Sequence, residues 1–462
     1  MKFTKFGKAL LMSALSAGVV LSFTSCNQSY TVAYLYVTGT VTAQSSGEGI
    51  ITGIQIDHNT GKMSAVRGTP VSSGGANPVR AVLLETSRFL YVLNRGATAS
   101  GSADCTTADP CKNSNITLFT VGGNGVLTAQ QTFFTQGINP FRMIADTSGS
   151  HLYVLDHDAP DSAAYSGVTP TAANPNSCML ALGNSATSCG DITAFSVNQN
   201  TGRLQLIVNA PVTAANGSAL LYFPVPANPV DFAQAAGNLL TLSGTPAASY
   251  PYTGGASVFP YTYSAVNGQL TINQNSSQPL GIAQGTALVY ASGVVYVLDN
   301  EPITVNFNDV VTTSSSQILP FVVGSNGALA AEPGGIIPDD PTLSNPIYLI
   351  VESKGKFVYV ANQGNNTQGA NAQSGIAGYF ITTSPAYQLS FIPDEPFGSG
   401  AGPQCLVEDP SSQFIYSADF NDSSVTGRVV DPNSGVLNNL RVTNTYALQG
   451  PATWCLVDGR TN

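Results

Sequence analysis

The chain has 462 residues and a net charge of −10, from 16 basic and 26 acidic residues. Charged residues make up only 9 % of the sequence, too few to cover the solvent faces of many long helices. An acidic chain also lacks the basic face that phosphate backbones require, which excludes nucleic acid as the main partner. The 46 Gly and 28 Pro predict many turns, and 43 % apolar residues are enough for a large core.

The N-terminal residues have the pattern of an export signal. Three Lys residues precede an apolar segment, 9–23, which is shorter than the roughly 20 residues of a membrane span. Small residues then lead to Cys26, a pattern similar to bacterial lipoprotein signals, in which the cysteine after the cleavage site is lipidated. We therefore expect a lipoprotein signal peptide at 1–25 and a tether at 26–33. An ordinary secretory signal with a chance cysteine is the alternative.

Lipidation of Cys26 implies a membrane partner, because the lipid would anchor the N-terminus in a bacterial membrane. Asn27 follows the cysteine. An Asp at that position is the usual signal for retention in the inner membrane of enteric bacteria, so outer-membrane sorting is favoured. The expected location is the bacterial cell envelope, facing either the periplasm or the exterior.

The other six cysteines suggest disulfide bonds, since an exported chain matures in an oxidising compartment. Two pairs are close in sequence and lie in turn-rich segments, and we predict that they bond: Cys105–Cys111 and Cys178–Cys189. Cys405 and Cys455 remain, either bonded to each other or free. A zinc site is the alternative, but no CxxC pair or neighbouring His supports it.

Four short segments recur seven times along residues 34–458. Strand B is hydrophobic and often contains Tyr-Val, as at 89–92 and 357–360. Strand C alternates apolar and polar residues, strand D usually begins with Gly-x-Leu or Gly-x-Met after a turn, and strand A usually opens with Asn-Pro or Gly-Pro. The order along the chain is B-C-D, then six sets of A-B-C-D, then a final A at 450–458.

This order predicts an all-β fold: a single seven-bladed β-propeller at 34–458, with four antiparallel strands per blade, followed by a tail at 459–462. Because the chain starts with strand B and ends with strand A, the C-terminal strand would close the first blade beside 34–66. Such closure removes a free sheet edge, which would otherwise invite aggregation. A β-sandwich or a solenoid built from the same strands is the alternative.

Three phrases of these repeats resemble the seven-bladed lactonase family, whose named member is bacterial 6-phosphogluconolactonase. They are Ile-Gln-Ile-Asp with Thr-Gly-Lys-Met at 54–63, Asn-Pro at 77–78 before the strand at 89–94, and Asp-Pro-Ser-Ser-Gln-Phe-Ile-Tyr at 409–416. The resemblance implies the propeller fold over almost all of the repeat region, with charged A-strand residues facing the central opening. The third residue after the Asn or Gly of each A strand reads Arg80, Arg142, Asp231, Tyr348, Cys405 and Thr453.

Propeller topology separates the connections onto two faces. If strand A runs from a top face to a bottom face, the A–B and C–D turns lie on the bottom face and the B–C and D–A loops on the top face. The long loops all belong to the second group, so we expect the functional face to be the top. A shielding surface without a binding role is the alternative. The long loops are 95–114, 157–190, 208–227, 300–315 and 331–344.

One His and two Arg residues are the main candidates for chemistry. His157 follows Asp156 at the start of a long top loop, where a carboxylate could orient it as a general base, although a solvated surface His is commoner. Arg80 and Arg142 occupy equivalent positions in neighbouring blades and could clamp a carboxylate or phosphate. Pairing with nearby acidic loops is their alternative role. The predicted ligand-binding set is Arg80, Arg142, Asp231, Tyr348, Asp299 and Glu301.

Acid-rich turns follow three of the B strands, at 156–158, 299–301 and 419–422. Their oxygen ligands could hold Ca²⁺, but no EF-hand pattern is present and turn-capping Asp residues are the commoner explanation. We expect no other cofactor and assign no metal ligands.

Two functions follow from these observations. One is a lipid-anchored module of the lactonase-like kind with degenerate catalytic residues, binding a small molecule, glycan or protein at the top face. The other is a periplasmic lactone hydrolase, in which His157 or a carboxylate assists water and the two Arg residues hold the anionic end. The Gly-Pro-Arg-His phrase of the enzymes is absent, and 402–405 keeps its form without its basic residues, which favours the module.

Overall fold

The protein forms a ring of seven antiparallel sheets, as the repeats predict. The computed structural model describes residues 30–41, 47–84, 86–99, 102, 105–106, 108–244, 255–272, 277–282, 285–307, 310–332, 335–364, 373–383 and 386–459. Each innermost strand contacts the innermost strands of both neighbouring blades, so these strands surround a central channel. The predicted signal peptide and Cys26 lie outside the described residues. The first described strand begins at Thr31, three residues before the predicted boundary.

Strand A is the innermost and strand D the outermost strand of every blade. In the order A, B, C, D, the strands of blades 1 to 3 are Ala452–Asp458, Thr31–Thr40, Glu48–Asp57, Met63–Ala65; Pro78–Leu84, Phe89–Asn94, Asn115–Val121, Leu127–Phe133; and Ile138–Ala145, His151–Asp158, Cys189–Val197, Leu204–Leu206. Those of blades 4 and 5 are Pro229–Ala235, Asn238–Gly244, Ala256–Tyr263, Leu270–Ile272; and Gly285–Ala291, Val294–Asp299, Gln317–Val323, Leu329–Ala331. Those of blades 6 and 7 are Pro346–Val351, Phe357–Asn362, Gly375–Thr383, Ala386–Phe391; and Pro403–Glu408, Phe414–Asp419, Ser424–Val430, Leu437–Asn439.

The outer strand is divided in five blades, because a second short segment returns to pair with the same strand C. These second segments are Val71–Ala76, Phe223–Pro226, Gln278–Pro279, Ile337–Pro338 and Thr445–Ala447. Two of them lie inside the predicted loops 208–227 and 331–344, which are therefore more ordered than the sequence indicates. The turn-rich composition of those segments hides strands of only a few residues.

The top face also carries small elements outside the blades. The described residues contain two short helices, Ala163–Ser166 and Ser177–Leu182, in the B–C loop of blade 3. Two hairpins accompany them, Asn209–Thr213 with Ala219–Leu220 and Ile303–Phe307 with Val310–Ser314.

The ring closes as predicted, because the C-terminal strand pairs with the first strand of the chain. Trp454 lies opposite Thr38 in this antiparallel pair. The Cys405–Cys455 disulfide, with Cα atoms 5.9 Å apart, also joins the closing strand to the inner strand of blade 7. The two predicted local disulfides are present as well, with Cα separations of 5.1 Å for Cys105–Cys111 and 5.5 Å for Cys178–Cys189.

The recurring Tyr of strand B and the recurring Gly of the C–D turn meet between blades. The Tyr91 hydroxyl donates to the Gly202 carbonyl at 2.7 Å, and Gly202 has a φ of 69°, which favours glycine. Each bond joins one blade to the next, so the two motifs repeat together because they form one contact. The equivalent bonds are Tyr36–Gly125, Tyr153–Gly268, Tyr359–Gly435 and Tyr416–Gly61.

Candidate functional site: the central channel

One register position of strand A places a side chain from every blade at the same height in the channel. In each A–B pair the register shifts just before this position, which sets Arg80 opposite Leu93 and Arg142 opposite Leu155. In the closing strand the equivalent residue is Trp454, not Thr453 as predicted, because Ala452 already pairs with Gly39 at the shift. We call these residues the channel ring: Arg80, Arg142, Asp231, Ala287, Tyr348, Cys405 and Trp454.

Asp231 is the acceptor at the centre of the channel ring. Its carboxylate accepts from the backbone N–H groups of Phe232 and Leu288, each at 3.0 Å. The Nε of Arg142 donates to it at 3.2 Å, while the nearest guanidinium nitrogen of Arg80 is 3.8 Å away. Two cations therefore share one buried carboxylate, which leaves the channel ring with a net charge of +1.

Arg80 is the more buried of the two cations, with a residue exposure of 8 %. Its guanidinium lies 3.5 Å from the centroid of the Trp454 ring, and that ring meets Tyr348 edge-on at 4.9 Å. Its guanidinium makes no hydrogen bond to any residue that the structure describes. Burial, followed by repulsion from Arg142, lowers the pKa of Arg80 to about 9, so Arg80 remains protonated at neutral pH.

A cavity of about 670 Å³ occupies the lower half of the channel and opens on the bottom face. Its inner end is formed by Arg80, Asp231, Tyr348 and Trp454. Its aliphatic walls include Val82, Ile144, Ala233 and Val289, and its mouth includes Thr86, Ser148, Gln234 and Tyr290. The sequence analysis places function on the top face, whereas this cavity lies among the short A–B turns.

His157 lies on the top side of the channel ring and is paired with a different carboxylate from the predicted one. Its Nδ1 is 2.9 Å from Oδ2 of Asp158. Asp156 is fully buried and accepts instead from the Thr193 hydroxyl at 3.0 Å. The His157 ring lies 6.4 Å from that of Phe141, and Arg142 extends over the same Phe141 ring at 5.4 Å. Phe141 therefore connects the His157–Asp158 pair to the channel ring.

The other two His residues have structural contacts. His151 is buried, with its Nδ1 2.8 Å from Oδ2 of Asp146. His58 stacks on Tyr30 at 4.5 Å between ring centroids. Neither lines the channel cavity.

In six blades, strand B carries near its end a buried polar residue that pairs with a residue near the start of strand A, and the predicted acid-rich turns begin at three of these positions. Asp299 accepts from the Gln317 amide at 2.6 Å and Asp419 from the Thr426 hydroxyl at 2.8 Å. Each donor belongs to strand C of the same blade, so these contacts are repeated features of the blades. Neither Asp299 nor Glu301 lines the channel cavity. We call the set the B-end residues: Asn94, Asp156, Ser243, Asp299, Asn362 and Asp419.

A metal site is not evident in the described part of the chain. There, no three His, Cys, Asp or Glu side chains come together in a way that could hold a metal ion. The predicted Ca²⁺ turns therefore gain no further support, and Ca²⁺ binding stays a prediction. Among the described residues, we also find no helix with the length and apolar character needed to cross a bilayer.

A second buried carboxyl in blade 3 escaped the sequence analysis. Asp191 of strand C lies directly opposite Asp156 of strand B, and both are fully buried. Burial raises the pKa of Asp156 to about 7. Burial and the neighbouring Asp156 carboxylate raise the pKa of Asp191 well above its usual range. One carboxyl of such a pair is protonated near neutral pH, because two adjacent buried carboxylates repel each other.

The fold and its central channel define a class, the seven-bladed propellers, to which several solved structures also belong. No protein family matches the sequence, and no curated protein matches it. The chain is similar in structure to a candidate 6-phosphogluconolactonase of Bacteroides uniformis, with a TM-score of 0.60 and 11 % identity over 92 % of this chain and 99 % of that one. It is also similar to the periplasmic gluconolactonase of Pseudomonas aeruginosa, with a TM-score of 0.57 and 16 % identity over 92 % and 99 % of the two chains.

These similarities establish the architecture alone. A hypothetical selenium-binding protein of Sulfolobus tokodaii matches almost as well, with a TM-score of 0.58 and 10 % identity over 93 % of this chain and 94 % of that one. Proteins with different described roles thus share the scaffold, and the role of this chain must be argued from its own channel.

Proposed function

We propose that this protein is a lactonase-like propeller that binds a small anionic ligand in its central channel and has lost hydrolytic activity. The observation that carries the proposal is the charge of the channel ring, in which Arg80 and Arg142 share Asp231 alone. A buried, incompletely paired cation is costly. A ligand carboxylate or phosphate beside Arg80 would neutralise it and accept the hydrogen bonds that its guanidinium does not make to the protein.

Lactone hydrolysis is the second candidate, and a specific observation favours it. His157 is held by Asp158 and faces Phe141, beside Arg142. His157 could take a proton from water as the water oxygen adds to a lactone carbonyl. The ring C–O bond would then break, and the alkoxide leaving group would take up the proton. Arg142 could hold the carboxylate of the product.

Calorimetric titration of the mature chain carrying Cys26→Ser with gluconate and with inorganic phosphate tests the binding proposal. We expect measurable binding of at least one anion and at least a tenfold loss of affinity in Arg142→Ala, because the variant removes one of the two shared cations. Arg67→Ala is the matched control, since Arg67 is exposed on blade 1. Equal affinities in Arg142→Ala and the control would reject the proposal.

A hydrolysis assay separates the two candidates. Glucono-δ-lactone and its 6-phosphate should be opened by the protein no faster than by His157→Ala. Turnover that disappears in His157→Ala while the variant keeps its melting temperature would establish the hydrolase instead.

We also propose that the protein is a lipid-anchored component of the bacterial cell envelope. The sequence pattern that ends at Cys26 supports the anchor, and the three disulfides fit an oxidising compartment. Cys26→Ser should move the protein from the membrane fraction to the soluble fraction with an unchanged melting temperature. Continued fractionation with membranes would exclude Cys26 as the anchor.

A further inference from the structure

The channel cavity changes in chemical character along its length. Its inner end carries the guanidinium of Arg80 against Trp454, its middle is lined by aliphatic side chains such as Val82 and Val289, and its mouth carries hydroxyl and amide groups. A ligand that matched all three zones would have a charged head, an apolar body and an end that tolerates water.

We propose that the channel binds an amphipathic monoanion, a single carboxylate group on a short hydrocarbon body, and that the ligand enters from the bottom face. This inference rests on the anion binding proposed above and adds the class of ligand and its route. The entrance lies opposite the long loops to which the sequence analysis assigns function.

The head group follows from the charge and geometry of Arg80. Its donors are not used by any described residue, its plane is held against Trp454, and Asp231 is shared with Arg142. One negative charge would balance the net +1 of the channel ring. A second charge on the ligand would be buried without a partner, which is unfavourable.

The body follows from the size and walls of the cavity. About 670 Å³ is within the range of small-molecule pockets, and the aliphatic wall residues Val82, Ile144 and Val289 are only half-buried. Covering them with hydrocarbon would remove apolar surface from water. Each methylene buried in this way should tighten binding about fourfold.

The route follows from the position of the mouth. The cavity is bounded there by the A–B turns, with Gln234 half-buried and the Tyr290 side chain 37 % exposed. The inner end of the cavity, opposite this mouth, is formed by channel-ring side chains that include Arg80 and Asp231. A ligand head that reaches Arg80 therefore has its open path from below.

The test is calorimetric titration of the mature chain carrying Cys26→Ser with butanoate, hexanoate, octanoate, octyl phosphate and gluconate. We expect affinity to rise by at least about tenfold from butanoate to octanoate. Octyl phosphate carries close to two charges at neutral pH and should bind more weakly than octanoate, because the second charge would be buried without a partner. Gluconate binding together with equal affinities along the carboxylate series would overturn this inference while leaving the proposed function intact. Failure of all the anions to bind would reject both.

Four variants test the head group and the route. Arg80→Ala should weaken the binding of octanoate at least tenfold. Arg80→Lys keeps the charge and should bind octanoate more tightly than Arg80→Ala, and it serves as the test if Arg80→Ala folds poorly. Gln234→Trp narrows the bottom mouth and should weaken the binding of octanoate. Phe420 is an exposed aromatic residue beside strand B of blade 7 on the top face, and Phe420→Ala should leave that binding unchanged. Loss of binding in Phe420→Ala but not in Gln234→Trp would overturn entry from the bottom face.

Discussion

The channel ring and the B-end residues each occupy one fixed position of the repeat. The residue type varies from blade to blade in the channel ring, whereas it stays similar among the B-end residues. The channel ring holds two guanidiniums, one carboxylate, two aromatic rings, a disulfide sulfur and a methyl group. The B-end residues are all Asp, Asn or Ser, and all are buried. Asn94, Asp156, Asp299 and Asp419 form hydrogen bonds mainly within their own blade.

The difference separates architecture from function. A position that keeps the same chemistry around the ring solves a problem that every blade has, here the burial of polar groups at the end of strand B. A position whose residue type varies does not have a shared role in the structure of the blades, because such a role would require similar residues in each blade. Its variety is explained by contacts between channel-ring residues of different blades, such as Arg142 with Asp231 at 3.2 Å.

Removing the closing strand should have the largest effect on this arrangement. Deletion of 450–462 takes Trp454 out of the channel ring and Cys455 out of its disulfide, and it exposes the edge of the Thr31–Thr40 strand. We expect the melting temperature to fall by more than about 10 °C, or the domain to fail to fold, as followed by circular dichroism. Deletion of 459–462 alone is the control and should leave the melting temperature unchanged. A stable ring without 450–462 would contradict the closure.

The pH dependence of stability should reveal the B-end residue of blade 3. Asp156 has a folded-state pKa of about 7, against an unfolded value of about 4. A carboxyl with a raised pKa keeps its proton in the folded state. Its contribution to the free energy of unfolding is therefore fully present below about pH 4 and is lost as the pH rises through 7. The pKa of Asp191 is also raised, by burial and by the neighbouring Asp156 carboxylate, so its contribution to stability is lost in the same direction.

We therefore expect the melting temperature to fall between pH 5 and pH 8 by an amount equivalent to roughly 1–3 kcal/mol of unfolding free energy. Asp191→Asn removes the adjacent charge and should flatten the dependence, whereas Asp109→Asn, an exposed control outside blade 3, should preserve it. A wild-type profile that rises over this range would show that the two carboxyls are not protonated in the folded state.

Much of the architecture could be predicted because the sequence motifs of the strands and turns recur in every blade. The order of the strands and the closure depend on local motifs that recur, and the two local disulfides join cysteines that are close in sequence. The Cys405–Cys455 bond spans 50 residues, and the sequence left it open. The sequence predicts Thr453, not Trp454, at the channel-ring position of the closing strand, because a shift of one residue in the strand pairing leaves no signal in the sequence. Asp residues flank His157 on both sides in the sequence, and alternation along a strand places both on the same face, so its pairing with Asp158 has no sequence signal.

The channel cavity could not be predicted for a different reason. Its walls are ordinary aliphatic residues such as Val82 and Val289, which a sequence presents as core. Only the three-dimensional arrangement shows that they border open space. The pairing of Arg142 with Asp231, 89 positions apart in the chain, likewise has no local signal.

The smallest expected effect is an exchange within the B-end residues. Asp419→Asn introduces the residue that blades 2 and 6 already carry at the equivalent positions, Asn94 and Asn362. The amide oxygen can still accept from Thr426, and removal of the buried charge offsets the loss of a charged acceptor, since burial already raises the pKa of Asp419 to about 6. We expect a change in melting temperature equivalent to less than about 1 kcal/mol and no change in anion affinity.

Asp231→Asn makes the same chemical change in the channel ring, but there it releases both guanidiniums from their shared carboxylate and should alter anion affinity. If Asp419→Asn changed anion affinity as much as Asp231→Asn, the division between repeated architecture and varied channel would fail.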